Sequence, residues 1–256
     1  MQDNLISHML QRRGFEILKA NPKENLLFPS DWNSAFEDEL YEMLKKYSFR
    51  IFIRDVIKHR KSFGIDNLLK YSTREWVERY ISFLLDKGIV ERLAGDKYKL
   101  KSYTVFSFGD TLEWFVARVF EKEFSLPALW GVSLRGGKAG GDYDVIVNLE
   151  GQLVYVEVKS SPPKNVEEVE IKAFLDRIVD LVPSMAIFLE DTQLRMKDKI
   201  VPFFEKALKK KRLKVKRLRE EIFCVKDRLY IINSSPDIIN NIGFCIKHYF
   251  LSKGFW

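Results

Sequence analysis

The stretch "GDYDVIVNLEGQLVYVEVKSS", Gly141 to Ser161, decides how we interpret the fold of this chain. Val, Ile, Leu and Tyr dominate it, as they do in strands that pack against a core. Three charged residues, Asp144, Glu157 and Lys159, nevertheless lie inside the two predicted strands. A charge in a half-buried strand is unfavourable unless another group pairs with it. The stretch therefore predicts a compensating partner for these side chains.

A hairpin register brings the three charges together. Glu150-Gly151 suits a two-residue loop, with glycine where a positive φ is needed. In that register Asp144 falls directly opposite Glu157, with Cβ atoms about 5 Å apart on one face of the sheet. Lys159 lies two residues beyond Glu157 and shares this face. A longer loop would shift the register, but the two-residue loop opposes two carboxylates that repel each other.

A divalent metal ion would remove this repulsion. Mg²⁺ in proteins takes one or two carboxylates, several waters and phosphate oxygens of a substrate. We expect Mg²⁺ or Mn²⁺ at Asp144, Glu157 and the backbone carbonyl of Val158, a set suited to phosphodiester hydrolysis. Lys159 would orient the attacking water or neutralise charge that develops on the phosphate. The plainer alternative is an exposed strand with an ion pair between Glu157 and Lys159, which contributes little stability.

The second half of the chain has the pattern of a mixed α/β sheet. A helix from Asp110 to Phe124 precedes the strand "ALWGVSL" and the two strands of the hairpin. An amphipathic helix, "VEEVEIKAFLDRIVDL", and a short apolar strand, "MAIFL", follow them. The predicted order is therefore α-β-β-β-α-β.

This pattern resembles the PD-(D/E)XK nuclease superfamily, the restriction-endonuclease-like fold that includes archaeal Holliday junction resolvases and Mrr-type restriction enzymes. The resemblance covers roughly residues 110–191 and rests on "D-x12-E-V-K" across adjacent strands. It implies that Asp144, Glu157 and Lys159 are catalytic. It also assigns a catalytic role to Glu113 on the first core helix. Tyr143 stands where the name-giving proline would be, and no Q-x-x-x-Y follows the lysine, unlike in RecB-like exonucleases.

Glu113 has a second interpretation. Asp110-Thr111-Leu112-Glu113 is also an acidic form of the capping box, with Glu113 at the third helical position. The two interpretations are compatible.

The first half of the chain has a different character. Residues 33–85 show apolar positions at helical spacing, and "IVERLAGDKYKL" predicts two short strands around a turn. A short helix, a second helix capped at Ser72, and this hairpin resemble a winged helix-turn-helix domain. Such domains bind DNA or protein partners. If this one binds DNA, its second helix would enter the major groove and offer Arg74 and Arg79.

The net charge of +7 is concentrated in one segment. Between Glu205 and Glu221, nine Lys and Arg against three Glu leave a local excess of +6. Such a segment is either a solvated face or a phosphate-binding patch. The stretch "RGGKAGGD" lacks the ending of a phosphate loop, and we expect it to be a loop beside the active face. The candidate nucleic-acid contacts in these two segments are Arg135, Lys138, Lys209, Lys210, Lys211 and Arg212.

Composition restricts the class of protein. With 46% hydrophobic and 31% charged residues, the 256-residue chain can bury a core in one or two domains. Two cysteines without a CxxC and three histidines do not supply the spaced ligands of a zinc site. No apolar run approaches the roughly 20 residues that span a bilayer, and the N-terminus has no signal-peptide pattern. We therefore expect a cytoplasmic protein that does not enter a membrane.

The sequence thus predicts a winged-helix domain over residues 1–103 and a restriction-endonuclease-like αβββαβ domain over residues 104–256. The expected function is that of an Mg²⁺-dependent DNA endonuclease, a hydrolase with a structure-specific, restriction or repair role. The alternative is a non-catalytic DNA-binding regulator on a nuclease-like scaffold. A last helix is predicted to begin at Ser235-Pro236-Asp237, with Pro236 at the first helical position if Ser235 is the cap. Its aromatic residues are core contacts or the contacts of a homodimer: Phe244, Tyr249 and Phe250.

Overall fold

The computed structural model describes residues 2–28, 32–102 and 104–254. Contacts within the chain divide it into two compact units. The helical unit is Lys23–Phe115, and the sheet unit combines Met1–Pro22 with Val116–Trp256. The predicted division at 103/104 lies beside Tyr103, which is outside the described residues. The grouping differs from that division because a strand from the first 22 residues joins the large sheet.

Helices and strands of the described residues are numbered in chain order. The helices are α1 (Gln2–Gln11), α2 (Ser34–Lys45), α3 (Tyr47–Lys58), α4 (Arg74–Asp86), α5 (Gly109–Phe124), α6 (Glu168–Leu181), α7 (Ile200–Leu208) and α8 (Ile238–Ser252). The strands are β1 (Glu16–Lys19), β2 (Val90–Leu93), β3 (Lys97–Leu100), β4 (Ala128–Arg135), β5 (Tyr143–Leu149), β6 (Gln152–Lys159), β7 (Met185–Glu190), β8 (Lys216–Arg219), β9 (Ile222–Val225) and β10 (Leu229–Asn233). The chain has a mixed α/β fold, as predicted.

The helical unit follows the order expected from its periodicity. Helices α2 and α3 precede a 3₁₀ turn at Ile65–Leu68, helix α4 and the antiparallel hairpin of β2 and β3. Helix α4 buries the apolar face expected of it, at Val77, Tyr80, Ile81 and Leu84. Its N-cap is Thr73, without a side-chain cap hydrogen bond, so the predicted cap at Ser72 is wrong.

The sheet unit is built on eight strands in the order β1-β4-β5-β6-β7-β10-β9-β8. All neighbours are antiparallel except β6 with β7 and β7 with β10. A parallel pair needs a crossover, which helix α6 provides between β6 and β7. Phe174 of α6, Phe188 of β7 and Phe204 of α7 pack together with ring centroids 5.3, 5.5 and 6.1 Å apart. These rings hold α6 and α7 against one face of the sheet.

The central hairpin has the predicted register. Leu149 pairs with Gln152, Val147 with Val154, and Val145 with Val156. The loop residues Glu150 and Gly151 both have positive φ, 50° and 79°, which is the geometry of a type I′ turn. The Asn148 side chain accepts a hydrogen bond from the Gly151 amide at 2.8 Å and fixes the loop. The register continues to place Asp144 opposite Glu157.

The C-terminal part of the sheet unit closes the fold. Helix α8 begins after Asp237, whose carboxylate accepts from the Asn240 amide, so Ser235 is not the cap. Tyr249 is fully buried and is a core residue, and Phe244 lies 4.3 Å below the Arg219 guanidinium. A dimer contact at these aromatics stays a prediction. Within the described ranges, none of the helices combines the length and apolar character needed to span a membrane.

Candidate active site

The hairpin register collects the motif side chains on one face of the sheet. Asp144 is the second residue of β5 and is half-buried, and its Oδ2 accepts a hydrogen bond from the Val158 amide at 2.7 Å. Glu157 is only 1% exposed. The alternative of an exposed ion pair between Glu157 and Lys159 is therefore wrong. The two side chains do form an ion pair, but the carboxylate of Glu157 is buried. A buried carboxylate needs strong compensation.

Three side chains compensate Glu157. The Tyr155 hydroxyl donates to its Oε2, and Lys159 Nζ lies 2.8 Å from its Oε1. Arg177 of helix α6 donates from Nη1 to Oε2 at 3.0 Å and to Oε1 at 3.3 Å. Arg177 thus supplies part of the compensation that the sequence predicted for these charges. Arg177 itself was not predicted. The sequence feature that could have indicated it is a cation three residues after Phe174, at the edge of the apolar stripe of α6.

Lys159 is held between two carboxylates. Besides Glu157, its Nζ lies 3.3 Å from Glu170 Oε1 on α6, and its side chain is 19% exposed. Burial by itself would lower the pKa of Lys159, but the negative charges of Glu157, Asp144 and Glu170 outweigh it and raise the pKa. Lys159 therefore keeps its proton at neutral pH and can donate hydrogen bonds but not accept a proton.

The charged side chains of this site form a cluster: Asp144, Glu157, Lys159 and Arg177. Asp144 is the least compensated charge of the cluster. Burial, followed by the nearby charge of Glu157, raises the pKa of Asp144 to about 8. The Val158 amide, Lys159 and Arg177 oppose this shift without cancelling it. At neutral pH the site therefore favours one more positive charge beside Asp144, either a proton or another cation.

The donor set fits a hydrated Mg²⁺ or Mn²⁺ ion better than a fully protein-bound one. Among the residues that the structure describes, no group of three or more His, Cys, Asp and Glu could hold a metal ion. Two opposed carboxylates nevertheless match the one or two that Mg²⁺ uses with water and phosphate. The Val158 amide points to Asp144, and the carbonyl of the same residue faces the same neighbouring strand. Asp144, Glu157 and that carbonyl would hold the ion.

Asp144→Asn should stabilise the metal-free protein at pH 8. A carboxyl whose pKa is raised by folding contributes stability that is complete below its unfolded pKa of about 4 and is lost as the pH rises toward 8. Asn cannot ionise and keeps an oxygen for the Val158 amide, so it retains that stability. We expect a melting temperature several degrees above wild type at pH 8 in EDTA, at roughly 2–4 °C per kcal/mol. The difference should shrink toward pH 4, and equal melting at both pH values would contradict the buried-charge argument.

The glycine-rich loop between β4 and β5 is fastened to helix α6. The Asp180 carboxylate accepts hydrogen bonds from the backbone amides of Lys138, at 2.7 Å, and Ala139, at 3.0 Å. Gly141 has φ +88°, and a Cβ there would lie 2.5 Å from Arg177 Nη2. Two backbone amides that could bind a phosphate thus bind a carboxylate of the protein itself. Lys138 is exposed beside this contact.

Glu113 lies on the part of α5 that belongs to the helical unit. Asp144, Glu157 and Lys159 belong to the sheet unit. Helix α5 begins at Gly109, so Asp110 lies in its first turn and is not the N-cap that the capping-box interpretation requires. The catalytic role of Glu113 stays a prediction.

The candidate nucleic-acid contacts are exposed and lie in both units. In the helical unit, Arg74 pairs with Asp66 at 2.8 Å and Arg79 with Glu75 at 2.7 Å. In the sheet unit, Arg135 pairs with Glu16 at 3.0 Å. The remaining cations form an exposed turn that follows α7: Lys209, Lys210, Lys211 and Arg212.

The basic segment continues from that turn into strand β8, which has a structural interpretation of its own. Strand β8 (Lys216–Arg219) lies at one end of the strand order. Cationic side chains on an edge strand discourage pairing with another chain. Arg217 also pairs with Glu221 at 2.7 Å. The positive charge of β8 therefore does not by itself indicate a phosphate-binding surface.

Comparison with known proteins supports the fold. No family model and no curated protein matches this chain. Protein VC1899 from Vibrio cholerae is 13% identical with a TM-score of 0.55, over 97% of this chain and 60% of that one. Can2 from Sulfobacillus thermosulfidooxidans, solved in complex with cyclic tetra-adenylate, is 12% identical with a TM-score of 0.54, over 94% and 60%. The chain thus spans about 60% of these two structures and is similar to them in fold.

Proposed function

We propose that this protein is a divalent-metal-dependent nuclease that hydrolyses phosphodiester bonds of DNA. One observation carries the proposal: the hairpin register pairs Val145 with Val156, and its continuation by one residue sets Asp144 opposite Glu157, with Lys159 paired to Glu157. Two carboxylates and a lysine in this arrangement are costly to the fold and useful for phosphate chemistry.

Each side chain has a task in this chemistry. Hydrolysis forms a bond between a water oxygen and phosphorus and breaks the bond from phosphorus to a sugar oxygen, which takes up a proton. When bound, the metal ion would supply an acidified water and draw charge from the phosphate. Asp144 and Glu157 would hold it. Lys159, which stays protonated, would orient the water by hydrogen bonding and offset charge as it develops.

DNA contacts are proposed on exposed cations of both units. Phosphate contacts from Lys and Arg supply most of the affinity of proteins for nucleic acids. The sheet unit offers Lys138 on the glycine-rich loop and the turn at Lys209–Lys211. The helical unit offers Arg74 and Arg79 on the second helix of its winged-helix-like order. The nucleotide ligand of the Can2 structure is consistent with nucleic-acid chemistry on a similar fold.

A non-catalytic DNA-binding protein is the second candidate, and one observation favours it. Both oxygens of Glu157 already accept hydrogen bonds, from Tyr155 and Arg177, and Lys159 lies within 2.8 Å. A carboxylate such as Glu157, whose charge is balanced by cations of the protein, can persist without a metal. Metal binding therefore separates the two candidates.

Calorimetric titration with Mn²⁺ tests the metal site. We expect wild type to bind Mn²⁺ and Asp144→Asn to bind at least about tenfold more weakly, because one of only two carboxylate ligands loses its charge. Asp142→Asn is the matched control. It makes the same change two residues away, at an exposed residue that directly precedes β5. Equal affinity in wild type and Asp144→Asn would remove the metal from this site.

A further inference from the structure

Arg177 is the one cation of the cluster that comes from outside the hairpin. It projects from α6, reaches both oxygens of Glu157 through Nη1, and leaves its side chain 14% exposed. Its Nε is buried and makes no hydrogen bond. The guanidinium therefore holds Glu157 with one nitrogen while at least one further N–H donor is unused.

The chain around Arg177 is shaped to admit its guanidinium. A side chain at position 141 would clash with Nη2, and Gly141 also needs a positive φ of +88°. One helical turn after Arg177, Asp180 holds the amides of Lys138 and Ala139. The loop that ends at Gly141 is thus fixed over Arg177 by the helix from which Arg177 projects.

Charge balance shows what Arg177 would do when a metal is present. When all are ionised, the carboxylates of Asp144, Glu157 and Glu170 carry three negative charges, against the two positive charges of Lys159 and Arg177. A divalent ion on Asp144 and Glu157 would leave an excess of one positive charge. A phosphodiester carries one negative charge and would restore the balance. Arg177, no longer needed to balance Glu157, would then be available to bind that anion.

We propose that Arg177 is a further catalytic residue, which exchanges Glu157 for a non-bridging oxygen of the scissile phosphate when metal and nucleic acid bind. This inference rests on the proposed nuclease function. A guanidinium suits the task because its fork of N–H donors binds phosphate with two hydrogen bonds, whereas an ammonium acts as a point charge. The unused Nε and the nearby Nη atoms supply that fork.

The test uses the full chain with Arg177→Met and Arg177→Lys, and Lys172→Met as control. Lys172 is an exposed cation on the same helix, so its substitution changes net charge equally. Four quantities are measured: the melting temperature, Mn²⁺ affinity without DNA, DNA affinity in Ca²⁺ and in EDTA, and single-turnover cleavage at saturating Mn²⁺.

We expect Arg177→Met to bind Mn²⁺ as tightly as wild type or more tightly, because a competitor for Glu157 is gone. Its cleavage at saturating Mn²⁺ should fall about 10²–10³-fold, the loss typical for one donor to a transition-state oxyanion. The gain in DNA affinity on adding Ca²⁺ should shrink, while Arg177→Lys should recover part of both and Lys172→Met should match wild type. Arg177→Lys keeps the test valid if Arg177→Met does not fold.

The outcomes distinguish a failure of the Arg177 proposal from a failure of the proposed nuclease function. If Arg177→Met binds Mn²⁺ more tightly and cuts at the wild-type rate, Arg177 only occupies the place of the metal, and the phosphate contact is refuted. If wild type itself cuts no nucleic acid with any divalent ion, the nuclease function fails, and this inference fails with it.

Discussion

We expect Lys159→Met to lower the single-turnover cleavage rate by about 10²–10³-fold at saturating Mn²⁺, the cost typical of removing one electrostatic contact to a transition state. The Lys159 ammonium shares a face with two carboxylates, and its raised pKa keeps it charged. On the nuclease proposal, its benefit would be greatest in the transition state, when charge builds on the phosphate and a water must be aligned. Met keeps the apolar stem and removes the charge. The measurement is a rapid-quench assay on a labelled duplex with enzyme in excess.

The same substitution also changes stability, because Lys159 is mostly buried between Glu157 and Glu170. A thermal melt therefore accompanies the rate, and cleavage is measured well below the melting temperature of the variant. Lys172→Met, on the exposed face of α6, controls for the loss of one positive charge. A Lys159→Met protein that is folded, binds Mn²⁺ and cuts at the wild-type rate would refute the role of this lysine.

Glu157→Ala should have the largest effect on stability. Glu157 is 1% exposed and accepts from Tyr155 and Arg177 while it pairs with Lys159. Removing it leaves the Arg177 guanidinium and the Tyr155 hydroxyl without this acceptor, and leaves Lys159 with Glu170. Breaking a buried ion pair in this way costs about 3–5 kcal/mol. For a chain of this size the melting temperature should fall by roughly 6–20 °C.

Glu170→Ala is the matched control for this loss. Glu170 contacts the same lysine, at 3.3 Å, but its side chain is 33% exposed, so water can replace it. Glu170 also accepts a hydrogen bond from the Glu167 amide at 2.8 Å, in the capping box at the start of α6. We expect a loss of at most about 2 kcal/mol, from an exposed pair and one capping hydrogen bond. Differential scanning calorimetry of both variants in EDTA gives the comparison. Equal losses of stability in the two variants would show that the buried interactions of Glu157 contribute no more than the exposed ones of Glu170.

The hairpin could be predicted from sequence because its determinants are local. A two-residue loop fixes which residues face each other, and the period of two along a strand then fixes the face of each side chain. Val147 therefore pairs with Val154 as predicted, and the continued register opposes Asp144 and Glu157. The α-β-β-β-α-β order over residues 110–191, and the helices and hairpin over residues 33–100, followed from apolar periodicity in the same way.

Contacts over long sequence distances could not be predicted. Arg177 reaches Glu157 from 20 residues away because α6 crosses over the sheet, and no local pattern specifies that approach. Strand β1 joins the large sheet through pairing with β4, more than 110 residues later. The Asp180 carboxylate captures loop amides 41 and 42 residues earlier. Each contact depends on how elements pack, which periodicity within a single element does not determine.

The local errors concern helix starts. A Ser-x-x-Glu pattern predicted a cap at Ser72, but the helix begins one residue later, and Glu75 instead pairs with Arg79 at 2.7 Å. At the last helix Asp237 caps in place of Ser235, since its carboxylate reaches the Asn240 amide. Several adjacent residues could cap each helix, and the choice depends on the path of the preceding chain.

The most direct test of the nuclease proposal is the rate at which purified wild type and Asp144→Asn cleave labelled DNA at saturating Mn²⁺. Duplex, single-stranded and branched DNA serve as substrates, with RNA alongside and EDTA as the metal-free control. We predict cleavage by wild type that EDTA abolishes, and a loss of at least about 10²-fold in Asp144→Asn, although this variant is the more stable protein in EDTA. Cleavage by Asp144→Asn at the wild-type rate, or no cleavage of any substrate by wild type, would contradict the proposal.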